Sequence, residues 1–134
     1  MLNLEIITPE RTLVKEEVDI VEAKGAYGEF GVLPGHTQFL TTLEIGEIRY
    51  TKDGVTRYLS SSGGFAEVVE DKVTMLLDTA ESAEDIDVER AKRAMERAEE
   101  ALKSLTYDNK EYLIYEMALF RAIARISVAT KTIG

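Results

Sequence analysis

The 134 residues contain no cysteine, so disulfides, thiolate nucleophiles and cysteine-ligated zinc are excluded. Histidine occurs once, at His36, which rules out a His-rich metal site within one chain. Basic residues are scarce, 16 against 25 acidic, for a net charge of −9. Phosphate backbones need a basic surface, so this balance speaks against nucleic acid and against broad adhesion to anionic lipid. It still allows a local pair of arginines to hold one nucleotide. No stretch approaches the ~20 uncharged apolar residues of a membrane span. Met1 leads into alternating Leu2, Leu4 and Ile6 rather than into a basic segment and an apolar run, so no secretion signal is expected. The expectation is a cytoplasmic protein with no direct membrane insertion. Beyond Ala83 glycine is missing until Gly134, and alanine at helical spacing takes over.

With 45% apolar residues the chain can bury a core, and its two halves follow different patterns. In the first half, short alternating runs end at turn residues. Leu2, Leu4 and Ile6 precede Thr8-Pro9; Leu13, Val14, Val18, Ile20 and Ala23 run to Gly25. Val32-Leu33 and the stretch from Phe39 to Leu43 follow. Ile48 and Tyr50 meet Val55, Tyr58 and Leu59 across Asp53-Gly54, a strong hairpin signal because glycine accepts positive φ. Phe65, Val68 and Val69 turn at Asp71-Lys72 into Val73, Met75 and Leu77. Many short strands with regular turns predict an antiparallel β-sandwich over residues 1–83.

Residues 84–134 predict an antiparallel two-helix hairpin. Asp87 is placed to cap the first helix by accepting from the backbone of Arg90. Ala91, Ala94, Met95, Ala98, Ala101, Leu102 and Leu105 line one face. A break at Thr106–Asn109 precedes a second helix, with Asp108 and Glu111 as its expected cap pair. That helix is apolar on more than one side, through Ile114, Met117, Ala118, Ala122, Ile126 and Ala129 and also Tyr112, Tyr115, Leu119, Phe120 and Ile123. It therefore needs a second partner besides the first helix.

Few residues suggest chemistry. The glycine-rich stretch Gly25–Gly31 is followed by Val32-Leu33-Pro34-Gly35, which cannot open the helix that a phosphate loop requires. It reads as an exposed turn, with Glu29 and Phe30 suited to a docking tip. His36 reads as a turn or edge histidine. Ser60-Ser61-Ser62 lacks an activating base, so no catalytic residue is assigned. Glu84, Asp85, Asp87 and Glu89 are explained by helix capping without a metal. Arg121 and Arg125 share one helix face and can grip a polyphosphate. On spacing alone, salt bridging to the acidic first helix is the favoured alternative.

The whole chain resembles the epsilon subunit of bacterial rotary ATP synthases. The resemblance rests on Gly25–His36, on Gly46-Glu47-Ile48-Arg49, on Ser62–Val68, and on Ile86-Asp87-Val88-Glu89-Arg90-Ala91 ahead of the two-helix tail. It implies a non-catalytic rotor subunit, peripheral on the cytoplasmic face of the membrane, with no required cofactor. The implied partners are the gamma subunit, the c-subunit ring, and the alpha/beta hexamer when the hairpin extends to inhibit ATP hydrolysis. The family pattern assigns Tyr27, Gly28, Glu29 and Phe30 to the c ring, and His36, Thr37 and Gln38 to gamma. Some members hold ATP on the compact hairpin. Their motif falls here on Glu81, Ile86, Asp87, Arg90, Ala91, Arg121 and Arg125, which makes ATP an expected regulatory ligand. The rival expectation is a free-standing nucleotide sensor with no rotor.

Overall fold

The structure is a computed structural model and describes residues 1–131; the last three positions of the expected 84–134 hairpin lie outside the described residues. Ten strands form one continuous curled sheet: β1 Leu2–Ile7, β2 Thr12–Val18, β3 Ile20–Gly25, β4 Gly28–Val32, β5 Phe39–Leu43, β6 Gly46–Lys52, β7 Val55–Ser61, β8 Gly64–Val69, β9 Lys72–Leu77 and β10 Ala80–Ser82. Their order is β10-β7-β6-β3-β5-β8-β9-β1-β2, with β4 on β3. One pair departs from the expected antiparallel pattern. β1 runs parallel to β9, with Leu4 opposite Val73 and Ile6 opposite Met75. These are alternate inward residues of two strands far apart in sequence, so burial sets the register.

The sheet folds over a core of Leu2, Leu4, Ile6, Val18, Val21, Val32, Leu59, Val68, Val73 and Met75, all at most 1% exposed. The expected run from Leu13 to Gly25 is two strands, broken at Asp19. The Asp53-Gly54 hairpin forms as expected, with both residues at positive φ. The next hairpin turns one residue earlier than expected. Glu70 and Asp71 occupy the positive-φ positions (47° and 63°) and Lys72 begins β9. Neither is glycine, so nothing local marked these two as the turn positions, but Asp71 is held there. Its Oδ1 accepts from the Gly35 amide at 2.7 Å and its carbonyl accepts from the Asn3 amide at 2.8 Å.

A single 3-10 turn, Ala83–Asp85, leads to α1, Val88–Lys103, and then α2, Lys110–Ala129. Asp87 caps α1, its Oδ1 accepting from the Arg90 amide at 3.0 Å. α2 is capped by Asn109 rather than Asp108; Asn109 Oδ1 accepts from the Glu111 amide at 2.8 Å. Asp108 instead accepts from the Thr106 hydroxyl. The two helices pack on each other through Ala91, Ala98 and Ala122, each at most 2% exposed. Small residues let the helix backbones approach closely but remove little apolar area.

Candidate functional site

The hairpin joins the sandwich at one end of α2. Val128 is fully buried beside Ala83 and Ile86, with Tyr58 and Ala129 packed on them, in a cluster separate from the sandwich core. Lys131 Nζ lies 3.6 Å from Glu47 Oε1 and 5.6 Å from the centre of the Tyr58 ring. Glu47 is itself held by Arg49, whose two terminal nitrogens reach Glu47 at 3.0 Å and Glu22 at 2.8 Å. Burial disfavours the Arg49 charge, but these two carboxylates more than offset it and raise its pKa. Val128 belongs to none of the apolar positions expected to face a partner. It is the penultimate residue of α2, where an isolated valine carries no periodic signal.

Next to this cluster, Arg121 and Arg125 line a narrow cleft with Ser60, Ser61, Ser62, Thr79 and Glu81. Arg125 Nε donates to Glu81 Oε1 at 2.7 Å. The expected salt bridging of the arginines to α1 is not what forms: Arg125 pairs with β10 of the sandwich instead, because α2 presents that face to the sheet edge. The structure thus brings Glu81, Arg121 and Arg125 together and sets Ile86 beside Val128. Asp87 is committed to capping, Ala91 is buried, and Arg90 is exposed on α1. The cleft holds about 30 Å³, room for roughly one water. Its two guanidiniums suit phosphate oxygens, and one of them, Arg125, is already engaged by Glu81. The serines, considered beforehand only as nucleophiles, line this cleft.

The residues assigned to partners lie along and after β4, with Tyr27, Gly28 and Glu29 at its start, Phe30 at its middle, and His36, Thr37 and Gln38 in the loop that follows. At one end Tyr27 is 99% exposed, and Gly28 (φ 113°) and Glu29 are exposed. Phe30 is not part of that tip. Its ring packs edge-on against Phe39 at 5.3 Å and fills the space where a Gly25 Cβ would sit at 3.1 Å. In the loop after β4 the His36 ring N–H donates to the Thr37 carbonyl at 2.7 Å and the ring stacks edge-on against Phe39, so His36 is satisfied locally. Thr37 and Gln38 are exposed.

A further surface lay unnoticed. Phe65 of β8 is directly opposite Leu76 of β9, with Leu40 of β5 close by, all on the outer face and 52–70% exposed. The signal was present: each is apolar at a position whose strand parity belongs to the polar face. Phe65 continues into a groove of about 860 Å³ walled by Leu113, Met117, Phe120 and Ile123 of α2.

Architecture and attachment together define the class: a β-sandwich subunit bearing a helical hairpin tied on, among the described residues, by a small apolar cluster and the Arg125–Glu81 and Lys131–Glu47 ion pairs. The comparisons give the family. Residues 1–83 match the beta-sandwich domain of the ATP synthase delta/epsilon chain, and residues 84–130 match its long alpha-helix domain. The ATP synthase epsilon chain of Geotalea daltonii is 54% identical over 98% of this chain and 95% of its own length. That of Geotalea uraniireducens is 55% identical over 97% and 94%. A chain of the Euglena gracilis mitochondrial ATP synthase, solved with OSCP, F1 and c-ring, superposes with a TM-score of 0.82 at 27% identity, covering 97% of this chain and 81% of that one. A chain of the Tetrahymena thermophila central stalk and c-ring assembly shares the fold, with a TM-score of 0.58 at 10% identity. The chain belongs to the ATP synthase delta/epsilon family, whose members are non-catalytic subunits of that enzyme. Among the described residues no helix is long and apolar enough to cross a membrane.

Proposed function

We propose that this chain is the central-stalk subunit that couples rotation of the c ring to ATP synthesis and carries a movable inhibitory arm. The family match along both halves of the chain supports the stalk role. The observation that carries the arm is the attachment: α2 meets the body through Val128 and its few apolar neighbours, outside the sandwich core, and through partly exposed ion pairs. A contact of this size leaves two arrangements of the hairpin within a few kcal/mol of each other.

In this reading Tyr27, Gly28 and Glu29 meet the c ring, with Phe30 holding their turn in place. His36, Thr37 and Gln38 face gamma, together with the apolar stripe Leu40–Phe65–Leu76. The setting is the cytoplasmic face of the membrane, with peripheral attachment through those partners. ATP holds the hairpin compact, its phosphates on Arg121 and Arg125 once Glu81 has released Arg125. A ligand bound only by the compact form stabilises it by about 2.7 kcal/mol at 100 times its dissociation constant.

Titration calorimetry of the purified chain with ATP tests the switch. Binding that disappears in Arg121→Ala and in Arg125→Ala supports the assignment, and undiminished binding in both removes it. Co-purification of gamma tests the rotor role; ATP binding without gamma would favour the free-standing sensor.

A further inference from the structure

The β3–β4 hairpin ends in an open edge. Among the described residues β4 pairs with β3 alone, while the other side of β3 is taken by β6 and β5. The turn Ala26-Tyr27 is closed by the Gly25–Gly28 pair. The Lys24 carbonyl accepts from the Glu44 amide at 2.9 Å, and the Ala26 amide donates to the Thr42 carbonyl at 3.1 Å. Those two residues therefore direct their backbone groups at β5. Backbone groups alternate in side along a strand, so Gly25, Ala23 and Val21 direct theirs at β4, where Gly28, Phe30 and Val32 answer them. The amides and carbonyls of Glu29 and Gly31 consequently face outward, and both residues are exposed.

Two features separate this edge from the one at β2. β2 carries Lys15, Glu16 and Glu17, charges that discourage addition of another strand. β4 carries glycine at position 31, where the fold does not demand one. Gly31 is not at positive φ, and a Cβ there would meet Glu22 Cγ at 3.6 Å and Ile20 Cδ1 at 3.8 Å, ordinary contacts. A glycine that folding does not require, on an unpaired strand edge, suits close approach of another backbone. Tyr27 (99% exposed) and Leu33 (57% exposed) bracket the edge and offer apolar grips at its two ends.

We propose that the outer edge of β4 receives an extended segment of a partner subunit, which adds one short strand through the backbone groups of Glu29 and Gly31. The occupant is a neutral or basic segment of a different protein. A second copy is disfavoured because self-pairing would join two chains of net charge −9 with Glu29 at the seam. The proposal rests on the reading that this turn meets partners within the synthase, and it adds how the contact is made.

Amide hydrogen exchange on the full chain, free and assembled into the purified synthase, tests it. In the free chain Phe30 and Val32 exchange slowly, while Glu29 and Gly31 exchange fast. On assembly Glu29 and Gly31 gain about tenfold protection or more. Gly31→Pro removes one outward donor and leaves the β3 side paired, so it weakens retention in the complex more than Gly31→Ala, which keeps the donor and adds only a methyl group at the seam. Assembly with Glu29 and Gly31 still exchanging as in the free chain overturns the edge proposal alone. Protection that instead rises with concentration of the free chain identifies a second copy and overturns it as well. Failure to assemble removes the underlying reading and the proposal with it.

Discussion

Arg125 and Glu81 are joined at 2.7 Å across the line where α2 meets the last strand of the sheet. The same guanidinium lines the cleft it shares with Arg121, so it has two competing uses, as a tie for the hairpin and as a grip for an anion. The side chains are 22% and 38% exposed, which keeps the tie modest. A double-mutant cycle of Arg125→Ala and Glu81→Ala is expected to give a coupling of about 0.5–1 kcal/mol, read by chemical denaturation at low salt and shrinking as salt is added. A coupling near zero at low salt would remove the tie from the account.

Val128 is the main apolar anchor of the hairpin. Val128→Ala removes two methyl groups from a fully buried site and is expected to weaken docking by about 1–2 kcal/mol. The sandwich core does not include it, so the β-sheet transition should stay in place while trypsin cuts the released helices faster at Arg90, Arg93 and Arg97. A matching fall in stability of the whole chain would show that body and arm unfold as one unit.

The strands, the hairpin and the Asp87 cap were legible because each obeys a local rule: period two, period 3.6, and a carboxylate three residues before an orphan amide. What escaped is set by contacts distant in sequence. The Glu70-Asp71 turn uses two non-glycine residues at positive φ, tolerated because Asp71 is bonded to Gly35 and Asn3. The parallel pairing of β1 with β9 has no local signature. Arg121 and Arg125 were visible as a pair and Glu81 only through the family resemblance, while the pairing of Arg125 with Glu81 is set by how α2 packs onto the sheet. Phe30 looked like a docking tip until strand alternation turned it inward beside Phe39.

Gly64 is the position where the backbone most requires glycine. Its φ is 153°, and an added Cβ would lie 2.0 Å from the Leu76 carbonyl oxygen and 2.9 Å from the Leu77 Cα. Both atoms are backbone of the paired strand β9, so no side-chain movement relieves the clash. Gly64→Ala should cost more than about 3 kcal/mol and yield insoluble or partly unfolded protein. A melting temperature within a few degrees of the parent would show that the strand pair shifts freely, contrary to this packing.

Phe65 and Leu76 face each other on the outer surface, 54% and 52% exposed. Phe65→Ser and Leu76→Ser remove apolar area that the free chain leaves largely in water, so stability of the isolated subunit should change by less than about 1 kcal/mol. If the stripe is the gamma-facing surface, both variants lose gamma in co-purification. Retention of gamma by the double variant would assign the stripe to another role.

The hairpin tip has its own pH dependence. The Thr106 hydroxyl donates to Asp108, and this bond together with a backbone hydrogen bond holds the Asp108 carboxyl below the ordinary carboxylate range. A depressed folded pKa means that the carboxylate favours the folded turn above the unfolded value, about 3.9 for aspartate, and that this contribution is lost as pH falls below it. As pH falls below about 4 the Thr106–Asn109 link should therefore loosen locally, seen as faster amide exchange at Asn109 and Tyr112 after correction for intrinsic rates. Asp108→Asn removes that pH step and Thr106→Val reduces it, since the hydroxyl is the larger cause. A step of unchanged size and midpoint in Asp108→Asn would trace the loosening to another acid, Glu111 being the nearest in sequence.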